Sequence, residues 1–138
     1  MAIKLGMDAV LNYSVGGVGG PWLELSNVKD VTLSLETGEA DITTRANAGW
    51  RATVGTLKEA SVEFEMVWDT ADAGFTAIKD AFFNNAVLGL QVLDGAAGSG
   101  LEADFSITNF SRNEPLEEAL TVSVTAKVTY DGTAPVWI

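Results

Sequence analysis

Apolar and polar side chains alternate most regularly near the C-terminal end of the chain. From Leu120 to Tyr130, apolar residues at the even positions alternate with Thr, Ser and Lys at the odd positions. Because successive side chains of a strand point to opposite faces of a sheet, this alternation predicts a strand with one buried and one polar face. The same alternation begins again at Val31 and at Val62, and it predicts two further strands.

The middle of the chain predicts a β-hairpin. The apolar run from Val87 to Leu93 ends in a glycine-rich segment that reaches Gly100, and an extended segment from Leu101 to Phe110 follows. Two apolar segments joined by aspartate and glycine residues are typical of a hairpin, here one with a loose tip.

One segment between the strands has the spacing of a helix. Apolar residues recur there from Phe75 to Phe82, with Asp69 or Thr70 as the candidate N-cap and Asn84 near the end. We therefore expect a mainly β domain, a sandwich or barrel, with one flanking α-helix that covers one side or end of the sheets.

The connection from Glu36 to Leu57 lies between two predicted strands and has the composition of a long inter-strand loop. A loop of this length in a compact β domain is usually functional or disordered. It carries Trp50, with Arg45 and Arg51 close in sequence. A large aromatic ring beside guanidinium groups is typical of an anchor for another protein surface, so we predict an assembly loop. The alternative is that Trp50 folds back onto its own domain.

Both ends of the chain differ from its middle. Residues 1–27 include a glycine-rich run that is costly to order, and they predict a flexible N-terminal arm before a β domain over residues 28–138. The chain also ends in apolar residues that a monomer would struggle to bury. We predict contacts of the two chain ends with a partner at four residues: Pro21, Trp22, Trp137 and Ile138.

Composition limits the classes of partner. The 138 residues suffice for one domain with a real core, and 19 acidic against 8 basic residues give a net charge of -11. This charge repels phosphate backbones and anionic lipids, which argues against a protein that binds nucleic acid directly. The run from Ala86 to Leu93 is far shorter than the roughly 20 residues of a membrane span. The first residues, interrupted by Asp8, do not form a signal peptide, so we expect synthesis in a cytoplasm.

The chain contains neither cysteine nor histidine. Disulfides, thiolate metal sites and Ser-His or Cys-His dyads are therefore impossible, and the commonest general base at neutral pH is missing. We expect no catalytic residue, no cofactor and no metal site.

The remaining polar residues have simpler explanations than catalysis or ligand binding. The glycines from Gly16 to Gly20 lack the Gly-Lys-Ser/Thr ending of a phosphate loop. Asp69 and Asp72 lack the spacing of a calcium loop and fit helix capping better. Glu63 and Glu65 share a strand face, and a solvated face explains them better than a carboxylate pair for sugar chemistry.

Five segments of the chain match the motifs of one known protein family. Each is only moderately specific alone, but their order and spacing together are specific. They are Val28–Leu35, Gly38–Arg45, Gly49–Ala52, Leu57–Phe64 and Asn109–Glu118. With them, the chain from Val28 to Ile138 resembles the bacteriophage tail tube protein, the major tail protein of long-tailed phages.

This resemblance implies a structural protein of the virion with a tail-tube-type β-sandwich or barrel. Six copies would close into a ring, and rings would stack into a hollow tube that conducts DNA from capsid to host. The implied partners are other copies of the chain, a tape-measure protein, and the tail terminator and tail tip proteins. DNA would pass without specific binding, no membrane would be involved, and assembly would take place in the host cytoplasm.

An acidic lumen agrees with that function, because a negative wall repels DNA phosphates and lets the genome slide. Glu63 and Glu65 are the candidates for the lumen wall, whereas Glu36, Glu39 and Asp41 are candidates for contacts between rings.

Two other functions remain open from the sequence. One is the tube protein of a related secretion or contractile-injection system, which would move effectors instead of DNA. The other is an isolated β-sandwich binding module. The predicted polar strand faces argue against this module, because they carry Thr, Ser and Glu where aromatic residues would be expected.

Overall fold

The computed structural model describes residues 3–96, 98–114 and 116–138. Over these residues the chain forms eight strands and one α-helix, which confirms the mainly β prediction. In chain order they are β1 (Val10–Val15), β2 (Leu23–Glu24), β3 (Val28–Asp41), β4 (Thr53–Val67), α1 (Ala73–Phe83), β5 (Val87–Leu93), β6 (Gly100–Asn113), β7 (Thr121–Val128) and β8 (Val136–Trp137).

The strands form one curled antiparallel sheet. Its order is β2-β1-β5-β6-β7-β4-β3, and β8 pairs with β6. The two strands with the clearest alternation, β4 and β7, are direct neighbours, and Phe64 lies opposite Val124. Opposed residues of an antiparallel pair lie on the same face. The apolar positions of both strands therefore contribute to one buried face.

Helix α1 packs on this apolar face of the sheet. Phe75 contacts Trp68 edge-on, with ring centroids 4.7 Å apart, and Phe82 stacks on Phe110 at 6.1 Å. Each fully buried apolar side chain contributes about 1.5–3 kcal/mol relative to an exposed one. The core therefore lies between α1 and the inner face of the sheet. Its largest fully buried side chains are Phe105, Met66, Ile78, Leu88 and Leu90.

The N-cap of α1 is Asp72, so the predicted caps Asp69 and Thr70 are wrong by two or three residues. The Asp72 carboxylate accepts a hydrogen bond of 2.9 Å from the backbone N–H of Phe75. Asp69 instead forms the preceding turn, where its carboxylate accepts from the N–H of Ala71. Two aspartates three residues apart can each cap a turn, and only the position of the apolar stripe against the sheet decides which one begins the helix.

Replacing Asp72 by alanine is expected to lower the free energy of unfolding by about 1 kcal/mol, because the orphan N–H of Phe75 loses its acceptor. Urea denaturation of the purified monomer measures this loss. The control is Asp80→Ala, whose exposed carboxylate lies near the C-terminal end of the same helix. An equal loss in both variants would contradict a capping role for Asp72.

Residues 10–15, predicted to belong to a flexible N-terminal arm, form strand β1, so the prediction is wrong for this segment. This strand lies inside the sheet between β2 and β5, and Leu11 and Tyr13 belong to the buried core. Burial, with a smaller effect of the nearby Asp72 carboxylate, raises the pKa of Tyr13. Residues 10–15 are therefore part of the β domain, and the domain does not begin at residue 28.

The glycine-rich run after β1, residues 16–20, forms a turn with a defined conformation. Gly16, Gly17 and Gly19 all have positive φ, a conformation that other residues rarely adopt. The buried carboxylate of Asp104 accepts a hydrogen bond of 2.6 Å from the N–H of Val18 and holds this turn against β6. The glycines are therefore needed for the conformation of the turn. Composition alone had predicted a mobile segment here.

The alternation that begins at Val31 predicts a buried face in β3, yet only Leu33 is partly buried, whereas Val31 and Leu35 are exposed. The register of β3 on β4 shifts between Lys29 and Thr32, and Asp30 has a positive φ of 53°. In addition, β3 is the last strand in the order of the sheet. Its apolar residues therefore lie at an edge that the core does not fully cover.

Candidate assembly surface

The predicted loop from Glu36 to Leu57 is mostly a β-hairpin. Strand β3 continues to Asp41 and β4 begins at Thr53, so only residues 42–52 connect them. Strand β7 pairs with β4 over Ser61–Val67. From Ala60 back to Thr53, β4 pairs only with β3. We call the two-stranded ribbon and its connection, residues 35–60, the hairpin arm.

The hairpin arm lacks the alternation that identifies a strand, which explains why the sequence predicts a loop. Its register shifts between Thr37 and Glu39, and a Cβ at Gly38 would lie 2.6 Å from the hydroxyl oxygen of Thr56. A side chain at this position would force the Thr56 side chain to move, so glycine suits this close approach, yet in a sequence glycine signals a turn. The β-branched residues of the arm, such as Thr53 and Val54, are the signal that could have indicated the strands.

The connection of the hairpin arm, residues 42–52, contains hydrogen bonds of its own; we call it the tip. It contains a 3₁₀ turn over Arg45–Asn47, and the Asn47 side chain accepts a hydrogen bond of 2.6 Å from the N–H of Thr44. The N–H of Trp50 in turn donates to the backbone oxygen of Asn47 at 2.9 Å. No residue of the tip is buried. The tip is thus shaped by local polar contacts and not by packing.

One ion pair lies at the root of the tip. Arg51 is 3.6 Å from the carboxylate of Asp41, and both side chains are largely exposed. Interactions with the Thr43 hydroxyl and backbone N–H lower the pKa of Asp41. Because solvent screens exposed pairs, this contact orients the arginine and adds little stability.

Trp50 is 78% exposed, so it does not fold back onto its own domain and that alternative is wrong. Arg45 and Arg51 are exposed on the same tip. Leu57 and Val54 on the ribbon are exposed as well. A two-stranded hairpin is at best marginally stable alone, and the exposed side chains of this arm would gain burial energy in a contact with another surface.

The outer face of the sheet is acidic near the hairpin arm. Glu63 is exposed and Glu65 half-buried, on the face opposite the buried Phe64 and Met66. Glu65 lies opposite Lys29 and Ser123 in the neighbouring strands. A shallow cavity of about 410 Å³ on this face is lined by three carboxylates and one ammonium: Glu36, Glu59, Glu63 and Lys127.

The four residues predicted to contact a partner near the chain ends lie on different parts of the sheet. Pro21 is exposed and Trp22 half-buried just before β2, which pairs with β1. Trp137 is 64% exposed in β8, opposite Leu101 of β6. Ile138 exchanges two backbone hydrogen bonds with Gly100, of 3.1 and 2.9 Å. The C-terminal strand is therefore fixed by its backbone while its apolar side chains remain exposed.

Among the residues that the structure describes, no group of His, Cys, Asp or Glu is placed to hold a metal ion. Over the same residues, no helix has both the length and the apolar character required to cross a membrane.

The subunit thus exposes a projecting hairpin arm, an acidic sheet face and apolar side chains at its C-terminus, which are surfaces suited to contacts with other proteins. The chain belongs to the phage tail tube protein family, whose model matches residues 4–131. It is therefore a structural protein of a tail tube, and the family resemblance read from the sequence is confirmed. The match begins well before Val28, in agreement with the position of β1 inside the sheet.

Solved tail structures share this fold. A chain from the tail of an empty gene transfer agent particle, computed with C6 symmetry, superposes with a TM-score of 0.81 at 19% identity, covering 99% of both chains. A chain of the SPP1 tail tube superposes with a TM-score of 0.75 at 16% identity, covering 98% of this chain and 78% of that one. A chain from the anti-feeding prophage baseplate reaches 0.62 at 7% identity, covering 99% and 97%. Comparison with curated protein sequences gave no match.

Proposed function

We propose that six copies of this protein close into a ring and that the rings stack into a hollow tail tube through which DNA leaves the capsid. The observation that carries the proposal is the hairpin arm, a ribbon and tip that project from the core with exposed apolar residues. The sixfold symmetry of the gene transfer agent tail supports the number of copies. Closure into a ring would also protect the edge of β3, since an open strand edge otherwise pairs with other chains.

The acidic outer face of the sheet is our candidate for the lumen wall, with Glu63 and Glu65 facing the channel. Both carboxylates lie on the polar face, away from the core. In a closed ring, a wall of carboxylates would repel the phosphates of passing DNA. The genome would then slide without the contacts that a basic channel would make.

Assembly would order the surface elements of the subunit. The tip, Pro21 and Trp22, and the C-terminal Trp137 and Ile138 carry the contacts in this proposal. Pro21, Trp137 and Ile138 are exposed in the subunit, Trp22 is half-buried, and no residue of the tip is buried. The entropy lost when they are ordered would raise the free energy of early contacts, which would help to prevent premature polymerisation.

The remaining partners follow from the family alone. A tape-measure protein would set the tube length from inside, and tail terminator and tail tip proteins would bind its two ends. Rings would assemble in the host cytoplasm and remain in the virion tail. Nothing in this function requires catalysis.

A tube that moves effectors in a contractile-injection system is the second candidate. The likeness to a chain of the anti-feeding prophage baseplate favours it, but its TM-score is lower than those of the gene transfer agent and SPP1 tail chains. The match to the phage tail tube family also favours the phage tail.

Negative-stain microscopy of the concentrated protein tests the proposed function. We expect hollow tubes made of stacked rings, with sixfold symmetry in end-on views. Solid filaments without a channel, or rings of another symmetry, would contradict the proposal.

Hydrogen exchange tests the ordering of the hairpin arm. In the tube, amides of residues 40–56 are expected to exchange at least about tenfold more slowly than in the monomer, because packing against a neighbour suppresses local opening. Buried amides of β7 provide the internal control, since the core should exchange equally in both states. Equal protection of residues 40–56 in monomer and tube would contradict assembly-coupled ordering.

A further inference from the structure

The chain leaves the sheet between β7 and β8. The N–H of Thr129 still donates to the backbone oxygen of Asp104 in β6, at 2.9 Å, which continues the register of β7 on β6. In this register Asp131 would lie opposite Glu102, but Val136, five residues later, occupies that position. Five residues are therefore looped out of the ladder, and Asp131 is the first of them. We call residues 131–135 the β7–β8 loop.

The β7–β8 loop is open to solvent, and all five of its residues are exposed. Gly132 has a positive φ of 90°, a conformation that favours glycine. Over residues 3–96, 98–114 and 116–138, neither Asp131 nor Gly132 takes part in a hydrogen bond or an ion pair. A segment with few buried contacts and solvent-exposed backbone opens at a low cost in free energy.

Aspartate is followed by glycine at two positions of the chain, Asp94-Gly95 and Asp131-Gly132. In such a pair the amide nitrogen of glycine can attack the carboxyl carbon of the aspartate side chain, because glycine has no side chain to hinder the approach. The attack requires a rotation of the backbone at the aspartate. A backbone fixed by hydrogen bonds and packing therefore resists the reaction, and a loose one permits it.

The first of these pairs is fixed. Asp94 and Gly95 are half-buried in the turn between β5 and β6. The Asp94 carboxylate accepts a hydrogen bond of 2.9 Å from the N–H of Ser99, and the Asp94 N–H donates to the backbone oxygen of Ser99 at 3.0 Å. The backbone oxygen of Gly95 accepts from the N–H of Gly98 at 2.9 Å. Of two identical dipeptides, one is thus held in a turn and the other is looped out.

We propose that Asp131 is a site of spontaneous covalent modification, at which aspartate isomerises to isoaspartate. The nitrogen of Gly132 forms a bond to the Asp131 Cγ, the bond from Cγ to the carboxyl hydroxyl breaks, and water leaves with the amide proton. Solvent water then opens the resulting succinimide ring. Hydrolysis at the side-chain carbonyl restores aspartate, whereas hydrolysis at the main-chain carbonyl routes the chain through Cγ and gives isoaspartate. The reaction needs water alone as its co-reactant.

The modified subunit keeps its fold. Isoaspartate adds a carbon to the main chain and retains the carboxylate. The β7–β8 loop lies outside the ladder, and the chain is bonded to β6 on both sides of it, by Thr129 before the loop and by Val136 after it. The loop therefore absorbs the extra atom. The surface around it changes, because Tyr130 and Pro135 line an apolar groove of about 670 Å³ together with Trp137.

Peptide mapping of the purified full-length protein tests the modification. After prolonged incubation at neutral pH, mass spectrometry with electron-transfer fragmentation distinguishes isoaspartate from aspartate at each position. We expect isoaspartate to accumulate at least about tenfold faster at Asp131 than at Asp94, because the β7–β8 loop opens more readily. Equal accumulation at the two positions, or more at Asp94, would overturn the proposal. The reaction takes place within one subunit, so the result does not depend on whether tubes form.

The same measurement in guanidinium chloride separates the effect of the fold from that of the local sequence. In the unfolded chain both dipeptides are free, and their rates of isomerisation are expected to agree within about threefold. A preference for Asp131 that persists undiminished in the unfolded chain would show that neighbouring residues select the site, and it would overturn the assignment to the looped-out conformation.

Asp131→Glu is the matched variant, since it keeps the charge but its longer side chain cannot form the same ring. Its total isoaspartate, measured by enzymatic methylation, is expected to fall about tenfold. An unchanged total would place the modification elsewhere and overturn the proposal. Hydrogen exchange of the aged protein tests the fold of the product. The amide of Ile138, which donates to Gly100 at 2.9 Å, is expected to be equally protected in the modified and unmodified forms. Loss of that protection would contradict the retained pairing of β8.

Discussion

Replacing Trp50 by alanine is expected to abolish tube formation while the monomer remains folded. The indole is 78% exposed in the subunit, so its removal should change the free energy of unfolding by less than about 0.5 kcal/mol. In a contact, a buried tryptophan typically contributes about 2 kcal/mol or more. Six such contacts for each proposed ring would together lose about 12 kcal/mol.

Sedimentation and negative-stain microscopy measure the loss of tubes, and urea denaturation measures the stability of the monomer. Phe83→Ala is the matched control, since Phe83 is an aromatic residue with 70% exposure on α1, outside the hairpin arm. Normal tubes from the Trp50 variant would show that its indole is an ordinary surface residue. Equal loss in both variants would show that assembly depends on exposed aromatics in general.

Replacing Phe105 by alanine is expected to lower the free energy of unfolding by about 3–5 kcal/mol. Phe105 is 0% exposed and lies between Leu88 of β5 and Val128 of β7. Truncation leaves a cavity that the surrounding strands cannot fill by relaxation. Since domains are typically stable by about 5–15 kcal/mol, this variant loses a large part of its stability.

Urea denaturation of the Phe105 variant, beside the same Phe83→Ala control, tests this expectation. A loss below about 1 kcal/mol would contradict the position of Phe105 at the centre of the core. The two large predictions also separate from each other. The Phe105 variant should lose stability, whereas the Trp50 variant should lose tubes while its stability is unchanged.

Strands with strong alternation were predictable because the signal is local. In β7, each apolar residue from Val122 to Ala126 is buried, as period two requires. The helix was predictable for the same reason, although its N-cap was not. Asp69 and Asp72 are both competent caps, and packing of Phe75 against Trp68 selects the later one.

The hairpin arm and β1 could not be recognised in this way. The arm contains glycine at a register shift, and β1 is short and precedes a glycine-rich turn. The identity of β1 as a strand depends on β5, a pairing partner far away in the chain, whereas the two strands of the arm depend on each other across the tip. Propensity within a short window carries no information about such partners.

The sequence by itself determined the mainly β class, the single helix, the acidic charge and the absence of histidine and cysteine chemistry. These properties depend on local periodicity or on simple counts. Only the tertiary structure decided that residues 35–60 project as a ribbon and that Glu36 meets Glu59. It also decided that Leu35 and Trp137 line one groove. Each of these depends on the register between strands, which long-range packing sets and no local pattern records.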